Sequence, residues 1–487
     1  MERRNFLKTV AATGLLSSAD AFSLAETNQT AAVGKRGERH LLIAFSWGTG
    51  DLGGIGIVPG LLNLVKKADP GLPTTVMTMQ TRASASYRFL KDYLPNFMPE
   101  CQVTPCPRAF LLKSPGSAWD AFVARWGETK LRQFESGAVS AREAGRIARD
   151  VLDGLAPDLA EELEREDPEA ARAFSEAGFL LYPSGTTLNF GRAGKRVFWT
   201  KRYWMPLLMA HAFKIPYGIA GQSFDALNWP SDLVYRPLFR DARFVYCRDT
   251  DSLAYLRQRD LLNANSGFRP DSTFFFDGRD EVWADAFLQS HGLESGSFMS
   301  VVARFAETHG PIAGVLAKRE QGHLDKYRQL IEGWIEKTGM SVLICPEARG
   351  EIPHMQKKLY GILSSGARAK CVCMDSFWTP EQACSIYQRS RIVVGHMHTM
   401  IFALAVGTPV LHIPYAEAGR KAWMIRDIGL GDWLLDIDDT PAETILESAM
   451  AIHQKHDAAR KRVRQAKREI ERLALEMMAE VKLGWRG

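Results

Sequence analysis

Short apolar runs recur along this chain between longer amphipathic stretches, the pattern of parallel strands buried on both faces and covered by helices. His40 to Trp47 reads as a buried strand, Gly48 to Gly60 as a glycine-rich turn into a helix over Leu61 to Lys67, and Thr74 to Thr78 as the next strand. A helical, charge-rich stretch over about residues 115–178, including Asp158 to Glu176, reads as an insertion of surface helices. The strand rhythm returns with Gly178–Tyr182, Pro216–Gly221 and Phe244–Cys247 and ends near Asp271–Phe276. A second series follows at Phe298–Ala303, Ser341–Cys345, Lys370–Met374, Ile392–Val394 and Val410–Ile413. The fold class expected is α/β, with two Rossmann-like domains facing a cleft at the carboxyl ends of their strands. The domains are expected at 40–290 and 297–440, with polar Gly278–Gly296 as the candidate hinge. A helical extension over 441–487 carries one apolar stripe, Val463, Ala466, Ile470, Leu473, Met477 and Val481, suited to packing back on a domain.

The N-terminus breaks the pattern. Arg3-Arg4-Asn5-Phe6-Leu7-Lys8 starts a basic segment, followed by the modestly apolar Thr9–Leu16 and small residues that offer cleavage after Ala21 or Ala25. This is the order of a twin-arginine export signal, and residues 1–39 are set aside as signal and polar tether. Export to the periplasm or cell envelope is the expectation, with a cytoplasmic location as the alternative. No other stretch approaches the roughly 20 apolar residues that span a bilayer, so no transmembrane segment is expected in the mature chain.

Composition changes little: 46% hydrophobic and 24% charged residues fit an ordinary globular protein of two domains. A net charge of +5 without a concentrated basic stripe outside the last helix argues against nucleic acid as a partner. Seven scattered cysteines without a C-x-x-C pair argue against a disulfide framework, and Cys371 and Cys373 read as core thiols. Oligomeric state is open at this level, a homo-oligomer included.

The candidate chemistry sits at strand exits. Gly48-Thr49-Gly50-Asp51-Leu52-Gly53 satisfies G-x-G-x-x-G after a strand, yet the next strand lacks the closing acid a nicotinamide site needs. What remains is a close backbone approach to an anion or sugar, or a tight turn. Pro183 to Asn189 and Gly221-Gln222-Ser223 put small polar donors after two further strands. Arg248 and Arg304 each end a strand and can fork onto carboxylate or phosphate, or pair with a neighbouring acid. His396 and His398 follow Ile392–Gly395 and lead into an apolar helix, where an imidazole serves as general acid or base. No third ligand accompanies them, so no metal is expected.

Read in order, these segments resemble the polysaccharide pyruvyl transferase family over about residues 40–438. Gly50 and Asp51 match its N-x-G-D loop, with Gly48 in place of Asn; Gly221-Gln222-Ser223 its G-Q-S; Arg248-Asp249 with Ser252 its R-D-x-x-S; and Pro270-Asp271 its P-D. His396 to Pro409 matches R-L-H-A-x-I-F-A-L-A-x-G-T-P, with His396 in place of the family arginine. Tyr415, Arg420-Lys421, Gly429-Leu430 and Asp432-Trp433 complete the resemblance. It implies a fold of the glycosyltransferase B type and transfer of a pyruvyl group from phosphoenolpyruvate to two hydroxyls of a sugar as a ketal. It also implies that His398 is catalytic with His396 beside it, and that Arg248, Arg304 and Lys421 bind the anionic donor. Asp51, Gly50, Gln222 and Ser223 join the substrate site on the same basis. The partners are then a glycan acceptor and a small anionic donor, with no cofactor beyond that donor substrate. The alternatives are a glycosyltransferase-like enzyme with a nucleotide-activated donor and an exported, non-catalytic glycan-binding protein.

Overall fold

The computed structural model describes residues 39–46, 48–111, 118, 121, 141–188, 201–224, 227, 232–308 and 313–485. The export segment and Asn189 lie outside them. The first lobe runs β1 (His40–Ser46), α1 (Leu52–Ala68), β2 (Thr74–Thr78), α2 (Ala85–Tyr93), β3 (Gln102–Thr104), α3 (Ala141–Glu166), α4 (Pro168–Ser175), β4 (Ala177–Tyr182), α5 (Lys201–Ala212), β5 (Tyr217–Gln222), α6 (Asp232–Asp241), β6 (Phe244–Cys247), α7 (Thr250–Gln258) and β7 (Gly267–Phe268). Its strands form a parallel sheet in the order β3-β2-β1-β4-β5-β6-β7. After α8 (Glu281–His291), the second lobe runs β8 (Phe298–Val301), α9 (Glu320–Thr338), β9 (Ser341–Ile344), β10 (Cys371–Cys373), α10 (Pro380–Arg389), β11 (Ile392–Gly395), α11 (Met397–Ala405) and β12 (Val410–His412). It forms a parallel sheet in the order β10-β9-β8-β11-β12. The order reverses between β1 and β4 in one sheet and between β8 and β11 in the other, which opens a crevice at the carboxyl edge of each.

Three expectations need correction. Gly48–Gly60 is not mostly turn, because α1 begins at Leu52, capped by Asp51, whose Oδ1 accepts from Gly54 N at 2.7 Å. Its glycines serve close packing: a Cβ on Gly53 would overlap the His398 ring, and one on Gly60 would overlap the Ser272 carbonyl. Gly278–Gly296 is not a polar linker but holds α8, capped by Asp280 and ended by Gly292 at φ 63°. It is tied to α10 where Asp280 N donates to Ser385 Oγ at 2.9 Å and Arg389 bridges Glu281 and Asp285. The helix expected over Asp158–Glu176 breaks at Asp167-Pro168, because proline suits the first turn of a new helix and Asp167 caps it.

Two helices close the chain, α12 (Ala442–Gln454) on the second lobe and α13 (His456–Gly484) returning to the first. Val463, Ala466, Ile470, Met477 and Val481 of the expected stripe are buried, and Trp485 covers Gly178 of β4. One apolar cluster therefore runs from Leu41 and Ile43 through α1 and Phe276 to β8, β11 and α13, while the other face of the first sheet packs under α3 and α4. The cysteines are free thiols, and burial pushes Cys101 up to about 11 and Cys106, Cys371, Cys373 and Cys384 up to about 12. No helix among the described residues is long and apolar enough to cross a membrane.

Two outcomes follow for stability. Gly60→Ala is expected to lower the unfolding free energy by about 1–3 kcal/mol through overpacking, whereas Gly154→Ala, open on the surface of α3, raises it by about 1 kcal/mol. Denaturant melts of both variants check the opposite signs. Burial holds His40 and His412 neutral, each with its pKa lowered from 6.5 to about 4, so between those values the unfolded chain binds more protons. Stability is complete above pH 6.5 and falls as pH drops toward 4; replacing His412 by Gln should flatten that slope by about one proton in melts taken across the range.

Candidate functional site

The carboxyl edges of the two sheets face each other, and their exit loops are joined by backbone hydrogen bonds. Asp51 forms an antiparallel bridge with Ala348, Leu52 N donates to Glu347 O at 3.0 Å, and Arg349 N donates to Gly50 O at 3.2 Å. His398 lies on this seam. Strand β11 stops at Gly395, where a Cβ would press on Val302, and the chain turns through His396 into α11, with His398 in its first turn. The imidazole rests against Gly53 of the opposite lobe, and its side chain is 16% exposed.

The groups around the ring are mostly acidic. Glu347, at the exit of β9, places Oε1 3.9 Å from His398 Nδ1. Its Oε2 accepts from Thr399 N at 3.0 Å and Thr399 Oγ1 at 2.7 Å, and Oε1 is paired with Arg304. Arg304 also binds Glu351 at 2.6 Å, and Glu351 accepts from the backbone N–H of Glu347 and Ala348. Burial opposes ionisation of Glu347, but the Arg304 guanidinium, His398 and Thr399 outweigh it and hold its pKa down at about 2. For Glu351 burial wins and its pKa is raised. Burial likewise lowers the pKa of His398, opposed by the charges of Glu347, Asp271 and Asp51 and reinforced by Arg248. His398 Nε2 is buried without a hydrogen-bond partner.

The sequence candidates separate into three groups. His396, His398, Arg304 and Lys421 line one cavity with Glu347, His412 and Tyr415. His396 is buried there, its Nε2 3.2 Å from Tyr327 Oη, which itself donates to Val302 O. Arg248, Gln222 and Ser223 form a buried network behind the seam instead. Arg248 is 1% exposed, paired with Asp271, and donates through Nε to Ser223 Oγ at 2.9 Å. Ser223 in turn donates to Asp249 Oδ2 at 2.6 Å, and Gln222 Nε2 donates to Pro183 O. Burial opposes ionisation of Asp271, but Arg248 outweighs it and leaves its pKa lowered. Asp51 caps α1, and Gly50 contributes its carbonyl to the bridge between lobes. Arg420, beside Lys421, reaches across to the Phe224 carbonyl and lies 4.2 Å over the Tyr255 ring.

Glu347, Glu351 and Thr399 were not singled out by the sequence reading. Their signal was an acid set immediately after an apolar strand, in Ile344-Cys345-Pro346-Glu347, and a hydroxyl one residue beyond the histidine. The cavity holds about 30 Å³, space for roughly one water molecule. Larger hollows of 760 and 520 Å³ lie away from the seam, beside Lys214 and Trp485 and between α1 and α13, and neither is lined by His398. Among the described residues no group of three His, Cys, Asp or Glu is arranged to hold a metal ion. The arrangement can present a protonatable imidazole beside two cationic side chains, Arg304 and Lys421, at the meeting of two lobes.

Comparison with solved structures places the fold. The UDP-GlcNAc 2-epimerase from Neisseria meningitidis, solved with UDP-GlcNAc, superposes with a TM-score of 0.52 at 13% identity, covering 91% of this chain and 99% of that one. The ADP-heptose LPS heptosyltransferase II of E. coli gives a TM-score of 0.42 at 12% identity, over 86% of this chain and 99% of that one. The epimerase likeness and the two parallel sheets show a fold of the glycosyltransferase B type. No curated protein matches the chain in a sequence search. A profile of polysaccharide pyruvyl transferases matches residues 166–417, just over half of the chain and every strand from β4 to β12. The chain belongs to the polysaccharide pyruvyl transferase family, and family and fold together support a polysaccharide-modifying transferase.

Proposed function

We propose that this protein transfers the pyruvyl group of phosphoenolpyruvate to two hydroxyls of one sugar in a cell-envelope glycan. The observation that carries the reading is the position of His398, with an unpartnered Nε2 on the seam and Arg304 and Lys421 lining the cavity beside it. In this reading protonated His398 gives a proton to the methylene carbon of the donor, which becomes a methyl group and leaves positive charge at the adjacent carbon. One sugar hydroxyl adds there and its proton returns to His398, now a neutral base. The second displaces phosphate, which departs with the remaining proton, and a ketal results. Arg304 and Lys421 are the cations assigned to the donor's carboxylate and phosphate.

A cavity of 30 Å³ does not admit that donor, so the reading includes parting of the lobes. The contacts that would yield include the backbone bonds of Leu52 with Glu347 and Arg349 with Gly50, the packing of His398 on Gly53, and the rim bonds of Thr250 N and Oγ1 on Asp427 at 2.7 and 2.9 Å and of Tyr93 Oη on Glu381 at 2.6 Å. The twin-arginine segment adds export to the proposal. Sequencing the N-terminus of the protein recovered from the cell envelope tests it, and an intact Met1 there or a solely cytoplasmic protein would count against it.

A second reading, a nucleotide-activated donor, is favoured by the epimerase solved with UDP-GlcNAc. Thermal stabilisation separates the two: phosphoenolpyruvate should raise the melting temperature and a nucleotide sugar should not, and the reverse result selects the second reading. Phosphoenolpyruvate with envelope glycan is expected to release phosphate, and His398→Gln to slow that release by about 10²–10⁴-fold. Glycan binding without phosphate release would instead indicate a binding protein. Because the acid form of His398 acts and its pKa lies below the ordinary 6.5, kcat/KM should fall as pH rises through that pKa toward 8, a limb that a pH–rate profile reads directly.

A further inference from the structure

The proposed reaction gives His398 its proton task but does not say what keeps a histidine in such a place able to perform it. The ring sits between lobes, packed on Gly53. Burial alone drives an imidazole toward its neutral form, the wrong one for an acid. Something nearby has to favour the proton, and it has to be fixed, because a mobile carboxylate would turn to water or to the nearest cation.

Glu347 meets both requirements. It is 1% exposed, and every polar contact it makes holds it in place: Arg304 on Oε1, and the backbone N–H and hydroxyl of Thr399 on Oε2. Thr399 belongs to the same first turn of α11 as His398, so carboxylate and imidazole are referenced to one helix end. Arg304 does not cancel the carboxylate, since it is shared with Glu351. Glu347 is the carboxylate held ionised, and it presents Oε1 to His398 Nδ1 at 3.9 Å while the guanidinium divides its donors between two acids.

We infer that Glu347 is the positioning residue for His398: its anchored carboxylate faces Nδ1, fixes the ring, and leaves Nε2 as the atom that meets the substrate. The inference rests on the proposed acid role of His398 for its consequence in turnover, but its geometric content stands without turnover. Other charged groups facing the ring are Asp271 and Arg248 from the opposite lobe and Asp51 at the start of α1; Arg304, His396 and Lys421 share the adjoining cavity. Asp271 is committed to Arg248, and Asp51 to the α1 cap, which leaves Glu347 as the carboxylate positioned from the histidine's own helix.

The test uses the full chain with ¹⁵N-labelled histidine, the His398 imidazole signals being assigned by their loss in His398→Gln. In the wild-type protein the neutral ring is expected to carry its hydrogen on Nδ1; a neutral ring protonated on Nε2 would overturn the inference. Glu347→Gln should lower the His398 titration midpoint by about one unit, with Glu347→Asp in between, and where phosphoenolpyruvate turnover is measurable kcat/KM at pH 7 should fall about tenfold as its alkaline limb moves down by the same amount. A folded Glu347→Gln protein with an unmoved midpoint sinks the idea. Should Gln prevent folding, the Asp variant decides, because it keeps the charge and draws it back by one methylene. Absence of phosphoenolpyruvate turnover in the wild type would defeat the proposed reaction while leaving these titrations to judge Glu347 separately.

Discussion

A carboxylate taken out of water costs several kcal/mol unless charge and hydrogen bonds replace what water gave, and Glu347 is the place where this structure meets that demand most fully. Arg304 from the exit of β8 and the first turn of α11 both converge on it. Its own carbonyl is bound by Leu52 N from the other lobe. One residue thus ties the ends of β8, β9 and β11 together and attaches them to the start of α1. The position of His398 is a consequence, since the helix that carries it starts where Thr399 meets that carboxylate.

The same seam explains the glycines of α1. A helix interior normally excludes glycine because it loses more backbone entropy than alanine, by about 1 kcal/mol. Here the loss is offset by approach: Gly53 lets the imidazole lie on the helix, and Gly60 lets the Ser272 carbonyl come up against it. The lobes share an apolar cluster along α1, α11 and Phe276, whose ring meets Phe402 at 5.3 Å. Contacts nearer the outer rim are polar and partly exposed, as at Thr250 with Asp427. Apolar packing at the base and separable hydrogen bonds at the rim are what a cleft needs if it is to open without dissolving its core.

Most of the fold was legible because strand exits and apolar runs are local signals. Thr74–Thr78 and Phe244–Cys247 match their strands to the residue and the other runs come within two residues, except Asp271–Phe276, where a 3-10 turn over Ser272–Phe275 stands in place of a strand. Where reading failed, tertiary context overrode local propensity. Glycines at 53, 54, 56 and 60 spelled a turn, yet Gly53 and Gly56 pack in a helix against His398 and Phe402, some 340 residues on, and Gly60 against Ser272. The two-residue β7 and three-residue β3 were too short to show a period. The site was legible only in part for the same reason: His398, Arg304 and Lys421 announce themselves by type, but Glu347 becomes notable only once β8, β9 and β11 stand side by side.

Arg248 and Arg304 looked equivalent in the sequence, each a guanidinium closing a strand, and the structure separates them by burial. Arg248 is 1% exposed and spends its Nη1 and Nε on Asp271 and Ser223. Breaking such a buried pair from one side costs about 3–5 kcal/mol, a large share of the stability of an ordinary domain. Loss of function on replacing Arg248 would therefore report on folding as readily as on chemistry. The side chain of Arg304 is 21% exposed, lines the cavity beside His398, and is held by two carboxylates rather than one. A guanidinium in that setting can exchange one internal anion for an arriving one while keeping the other, and this sets Arg304, more than Arg248, within reach of a ligand.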